Sequence, residues 1–294
     1  MVRTKNIMTN KLNQLTRTIK NKKKNRKRQG RLLMSQVKVL LEDLGSGTLK
    51  TDSYCRYFFA AVSMLAYRDP DKCQKYWDKL GYKSFFYDED GAQCYVLEHD
   101  NHFIVAFRGT EPKSISDIKA DLRFIKTYHR GEGKVHRGFM IEVWKLADLL
   151  ANHIYQTDKQ VYVTGHSLGG AMATLYSTLC RPKNKPVVYT YGAPRCGNED
   201  YCRLYPNQLY RVVNNNDAVP TVPYRVMGYR HTGETIYINH YGNIRNLTPW
   251  QKFKDHLRGR FAAWRKLEFF DGIRDHSIDK YCQAMYKDWS NNER

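Results

Sequence analysis

Ser167 lies in Gly165-His166-Ser167-Leu168-Gly169-Gly170, with a glycine two residues away on either side. A serine hydroxyl is a weak nucleophile until a base takes its proton. A G-x-S-x-G turn between a strand and a helix holds that hydroxyl clear of the backbone for attack. Side chains at 165 or 169 would run into the neighbouring strand or helix, which is why glycine is needed at both places. A bare match to the pattern turns up by chance in roughly one chain in ten of this length. The context argues against chance. Val161 and Val163 alternate as a strand does, and Ala171, Met172, Ala173, Leu175 and Leu179 follow at helical spacing. The N-terminus of that helix aims free N–H groups at whatever Ser167 attacks.

A serine nucleophile needs a histidine to take its proton and a carboxylate to orient that histidine. Asp217 directly follows the β-forming run Leu209–Val213, at the strand end where ligands bind in open parallel sheets. Its bland alternative is an Asx-turn residue. Asp200, Asp255 and Asp271 are rival acids, but none directly follows a strand. For the base, His231, His240, His256 and His276 all come after Asp217. His276 opens a helix after a loop near the end of the sequence. His231 and His240 flank the strand Thr235–Ile238, and His256 falls inside a charged helical stretch. Pattern alone leaves the base open among them. Two donors must face the developing oxyanion. Leu168 N–H, next to the nucleophile, is one. Thr110, after Phe107-Arg108-Gly109, is well placed to be the other.

These residues need elements to carry them. Helices are expected over Arg31–Leu44, Asp52–Tyr67, Tyr76–Gly81, a stretch through Val143–Leu150, the basic stretch Trp250–Lys266, and a last one from Asp275-His276-Ser277 through Met285. Strands are expected at Cys94–Glu98 and His102–Arg108, joined by the turn Asp100-Asn101, and at Pro186–Tyr191, Leu209–Val213 and Thr235–Ile238. Helices and strands alternate around Ser167, which predicts an α/β layer structure with a mostly parallel sheet.

The chain has 294 residues and a formal net charge of +20. Met1 to Arg31 holds twelve Lys or Arg and no acid, and the first acid is Glu42. That segment is too charged and too poor in apolar residues to build a core, so residues 1–31 are read as a basic, disordered tail and 32–294 as the folded domain. The tail suits peripheral attraction to an anionic membrane; nucleic acid, the weaker alternative, and a nuclear-import address stay open. No apolar run reaches a membrane span, and no apolar segment follows the basic N-terminus as in a secretory signal. The seven cysteines are odd in number, scattered and without a C-x-x-C pair. They give no support to a zinc site and point to a reduced, intracellular protein, soluble or peripheral to membrane. A Cys196–Cys202 bridge stays open.

Taken in order, several blocks resemble the class 3 lipases, the fungal-lipase-like serine hydrolases. They are Val105–Thr110, Val135-His136-Arg137-Gly138-Phe139, Gly165–Gly170, Tyr191–Arg195 with Gly197-Asn198, Val212–Pro220, Gly228–His231 and Asp275–Tyr281. The resemblance covers roughly Asp52 to Tyr286. It implies an α/β-hydrolase fold and a carboxylester hydrolase acting on lipid esters, acylglycerol or phospholipid, without a cofactor or metal. It implies Ser167 as nucleophile, Asp217 as acid, His276 as base, Thr110 and Leu168 as oxyanion hole, and a structural His231. One region departs from the family pattern. Glu111–Lys134, where the family carries a lid, is polar, and the Trp often found ahead of an Asp-Leu pair is absent at Ser116–Leu122. That argues against strong interfacial activation. The alternative reading is an inactive hydrolase scaffold that binds lipid or nucleic acid through its basic tail.

Overall fold

The computed structural model describes residues 52–109, 125–130, 133–245, 248, 250–251, 254–255 and 276–292. The basic segment 1–31, the expected helix Arg31–Leu44, Thr110, and most of Glu111–Lys134 and of Trp250–Lys266 lie outside the described residues.

The chain enters through helices α1 (Asp52–Leu65) and α2 (Pro70–Lys79). Strands β1 (Lys83–Glu89), β2 (Ala92–Glu98) and β3 (His102–Phe107) follow as an antiparallel meander. A small two-stranded sheet, β4 (Lys126–Tyr128) with β5 (Lys134–His136), leads straight into α3 (Arg137–Ile154). Then come β6 (Gln160–His166), α4 (Leu168–Leu179), β7 (Val187–Tyr191), the short α5 (Glu199–Arg203), β8 (Gln208–Asn214), β9 (Glu234–Ile238) and α6 (Ile278–Asn292).

Seven strands form one sheet in the order β1-β2-β3-β6-β7-β8-β9. The pairs from β3 onward are parallel and the two at the β1 edge antiparallel. This is the mostly parallel sheet, with helices on both faces, of an α/β-hydrolase fold. β1 is absent from the sequence reading. Both its faces are half-covered, so it lacks the clean alternation of a one-sided strand. The Asp90-Gly91 dipeptide, with φ of 49° and 84°, closes the β1–β2 hairpin.

Side-chain alternation along β6 decides which helix covers which face. Val161 and Val163 join a core with Val143, Leu146 and Leu150 of α3 and Met172 and Leu175 of α4. Tyr162 and Thr164 point the other way, toward α1. The Phe59 ring lies 5.1 Å from that of Tyr162 and 4.6 Å from that of Tyr189, and Ser63 Oγ is 2.9 Å from Thr164 Oγ1. Phe58 and Phe59 are fully buried, which contributes roughly 1.5–3 kcal/mol each. α6 lies beside α1, through an Arg56–Asp288 ion pair at 2.9 Å and Tyr57 stacked on Trp289 at 5.7 Å. The anchored α6 fixes the preceding residues 276 and 277 over the sheet. The register aligns the carboxyl ends of the parallel strands: Phe107 pairs with Gly165, His166 with Tyr191, and Tyr191 with Val212. Residues 109, 167, 192 and 217 all follow those ends.

Candidate active site

Ser167 begins where β6 ends and α4 starts. It has φ 59° and ψ −129°, a left-handed conformation that a non-glycine residue adopts only when its surroundings impose it. The imposing contacts are close packing of glycines. A Cβ on Gly165 would strike the Gly169 carbonyl, one on Gly169 the Phe107 carbonyl, and one on Gly170 the Ala193 Cβ. The Ser167 N–H donates to the Tyr191 carbonyl at 3.0 Å, which ties the turn to β7.

His276 brings Nε2 to 2.7 Å from Ser167 Oγ, and its Nδ1 lies 2.9 Å from Asp217 Oδ2. All three residues are buried, at 4%, 5% and 3% exposure for Ser167, His276 and Asp217. The carboxylate can only accept, so Nδ1 carries the proton and Nε2 faces the serine as acceptor. Such a chain can pass the Ser167 proton to His276 while Asp217 steadies the resulting imidazolium.

Asp217 is held on both oxygens. Oδ1 accepts the Val219 N–H at 2.8 Å, and Oδ2 accepts the Tyr281 hydroxyl at 2.5 Å. The first contact is the Asx-type turn that counted as the bland reading of Asp217. Turn and site are thus served by different oxygens of one carboxylate. Tyr281 in turn accepts the Asn214 N–H at 3.1 Å, so β8 and α6 meet on its hydroxyl.

The rival residues are placed elsewhere. Asp200 is exposed in the first turn of α5, in an ion pair with Arg203 at 3.7 Å. Asp255 is buried, but its Oδ2 accepts the Tyr237 hydroxyl at 3.1 Å and the His240 N–H at 3.0 Å. His231 Nε2 donates to the Pro220 carbonyl at 2.7 Å, and burial together with Arg211 pushes its pKa far down. His256 and Asp271 lie outside the described residues, as does Thr110. Leu168 is the first residue of α4, directly beside Ser167.

Sequence reasoning missed Gly192 and the role of Tyr281. Gly192 has φ 60°, and a Cβ there would lie 2.7 Å from Asp217 Oδ2, 3.0 Å from the Tyr281 hydroxyl and 3.1 Å from His276 Nδ1. A glycine just after a parallel strand was the available signal. Tyr281 carries none, since an apolar helix position explains it equally well. Among the described residues no group of three or more His, Cys, Asp or Glu is placed to hold a metal ion.

The family model described as Lipase (class 3) matches residues 104–227. A secreted mono- and diacylglycerol lipase of Fusarium solani is 40% identical over 116 residues, covering 36% of this chain and 34% of that protein. A lipase of Rhizomucor miehei is 29% identical over 211 residues, covering 65% of this chain and 56% of the relative. The solved structure of the Rhizomucor miehei triacylglyceride lipase superposes with a TM-score of 0.57 at 24% identity, over 65% of this chain and 82% of that one. The chain spans less than two thirds of the length of the curated relatives it matches.

The relatives' names correct one expectation. Those from Fusarium solani, Malassezia globosa and Penicillium cyclopium are named as secreted enzymes, against the intracellular location read from the cysteines and the N-terminus. The physical reason lies in the thiols. All seven are free, and five are buried, where a thiol packs as a small hydrophobe. An odd, scattered set of this kind records packing and is no measure of compartment. Cys196 and Cys202 are both free, so they are not bridged in this structure.

Proposed function

This chain belongs to the class 3 lipase family, and on that premise we propose that it hydrolyses carboxylic esters of acylglycerols through an acyl-enzyme on Ser167. The observation that carries the reading is the buried chain Ser167 Oγ–His276–Asp217, at 2.7 and 2.9 Å.

Ser167 Oγ attacks the ester carbonyl as His276 Nε2 takes its proton. The oxyanion is met by the Leu168 N–H and by Thr110. The carbonyl re-forms, the C–O bond to the alcohol breaks, and His276 returns the proton to the leaving oxygen. Water, deprotonated by the same imidazole, then releases the fatty acid and restores the serine. Asp217 orients the imidazole and stabilises the imidazolium that forms. The names of the secreted relatives favour mono- and diacylglycerols as the substrate class. The cations before Arg31 would draw the enzyme to anionic lipid surfaces. An inert scaffold is disfavoured, because three buried polar side chains in hydrogen-bonded sequence serve catalysis better than a dead core.

The test is hydrolysis of p-nitrophenyl butyrate and of mono-, di- and trioleoylglycerol by the wild type and by Ser167→Ala. Loss of all ester turnover in the variant supports the reading. Equal rates in both proteins overturn it.

A further inference from the structure

His166 is buried, at 5% exposure, and the proton relay does not use it. Its Nε2 lies 2.6 Å from the backbone carbonyl of His276, and its ring centroid is 4.5 Å from that of His276. A carbonyl can only accept, so Nε2 carries the proton and donates it. The other nitrogen, Nδ1, then accepts, and the Tyr67 hydroxyl lies 2.9 Å from it as donor. Burial, and the neighbouring His276, push the His166 pKa far below the usual imidazole range, so the ring stays neutral and keeps this one tautomer. Tyr67 closes the arrangement from behind. A Cβ at Gly109, beside the oxyanion loop, would strike both the Tyr67 hydroxyl and the His166 carbonyl.

We propose that His166, oriented by Tyr67, is a positioning residue for His276: its Nε2–H holds the His276 carbonyl so that the imidazole faces Ser167 and Asp217 together. The need for such a hold follows from the fold. His276 precedes α6, and the rest of the site comes from strand ends of the sheet. Among the described residues, His276 makes three hydrogen bonds to the rest of the site. Two run through the His276 side chain, to Ser167 and Asp217, and both are disturbed whenever a proton moves. The bond from His166 reaches the backbone and does not change during turnover. It comes from the residue adjacent to the nucleophile, so the spacing between His276 and Ser167 is set by one rigid unit. The left-handed turn at Ser167 points that residue's side chain out of the elbow, while His166 faces the loop.

This inference rests on the esterase reading for its kinetic arm and stands apart from it in its spectroscopic arm. The variants are His166→Leu, which fills space without a donor, His166→Gln, which can donate to the carbonyl and accept from Tyr67, and Tyr67→Phe. With p-nitrophenyl butyrate, His166→Leu is expected to lose about 100-fold in kcat with KM little changed, the size of loss that a small misplacement of a catalytic group produces. His166→Gln is expected to recover most of that loss, and Tyr67→Phe to lose about threefold to tenfold. Proton NMR of the substrate-free protein reads the His276 Nδ1–H directly. Its downfield resonance should persist in the wild type and His166→Gln and broaden away in His166→Leu. A wild type without ester turnover defeats the esterase reading alone, since the resonance still tests the positioning. The proposal is overturned if the resonance survives unchanged in His166→Leu. Equal kcat losses in His166→Gln and His166→Leu would also overturn it, as would losses that track a fall in melting temperature.

Discussion

The Tyr281 hydroxyl lies 2.5 Å from Oδ2 of Asp217, the oxygen that also takes the His276 Nδ1–H at 2.9 Å. Two donors therefore converge on one oxygen of a buried carboxylate. A hydrogen bond to a charged group contributes about 1.5–3 kcal/mol, so Tyr281→Phe should lower kcat/KM on a soluble ester by roughly tenfold to a hundredfold. Asp217→Asn should cost more, on the order of 10⁴-fold in kcat, because the amide stabilises the wrong imidazole tautomer. Steady-state kinetics on both variants check the order. A Tyr281→Phe loss as large as that of Asp217→Asn would contradict it.

Gly192 is the position where a single methyl group reaches the most site atoms. With φ 60° and a would-be Cβ 2.7 Å from Asp217 Oδ2, an alanine must both strain the backbone and displace the acid. The strain costs roughly 1–2 kcal/mol, and the displaced acid should lower kcat by about 100-fold. Thermal melting and kinetics on Gly192→Ala measure the two effects separately. A variant with wild-type kcat would show that the Asp217 position is more tolerant than the packing indicates.

Two buried histidines away from Ser167 tie stability to pH. Burial lowers His102 to about 4, with His99 and Lys159 adding to the shift, and burial alone lowers His136 to about 4. Unfolding raises each to the ordinary value near 6.5. The unfolded chain therefore binds more protons between these values. Stability from both groups is fully present above about pH 6.5 and is lost as pH falls toward about 4, on the order of 3 kcal/mol for each. Urea melts across this range should show the decline. His136 caps α3 by accepting the Phe139 N–H at 3.2 Å on Nδ1. An asparagine keeps a capping oxygen without titrating, so His136→Asn should flatten part of the slope. An unchanged slope would assign the acid loss to other groups.

The strand-to-helix turn that carries Ser167 was legible in the sequence because its constraints are local: glycines at 165 and 169, a valine alternation before them and small residues after. Asp217 was legible for a similar reason, as an acid directly after a β-forming run. His276 was one of four open choices by pattern. Its contacts to Ser167 and His166 bridge 109 and 110 residues, and no periodicity reports a separation of that kind. Tyr67, 99 residues from His166, was hidden in the same way at the end of an apolar helix pattern. β1 was missed because edge strands bury neither face fully, although Asp90-Gly91 marked its hairpin. The cysteines misled because burial and redox state leave the same pattern in a sequence.

The central claim is that Ser167 is a nucleophile activated by His276 and Asp217. Labelling with a fluorophosphonate, read by peptide mass spectrometry, tests it most directly. The expected result is a single adduct on Ser167 at near-stoichiometric yield, abolished in Ser167→Ala and slowed at least 100-fold in His276→Ala, as loss of the general base requires. A folded wild type that takes no label, or takes it on another residue, would contradict the claim.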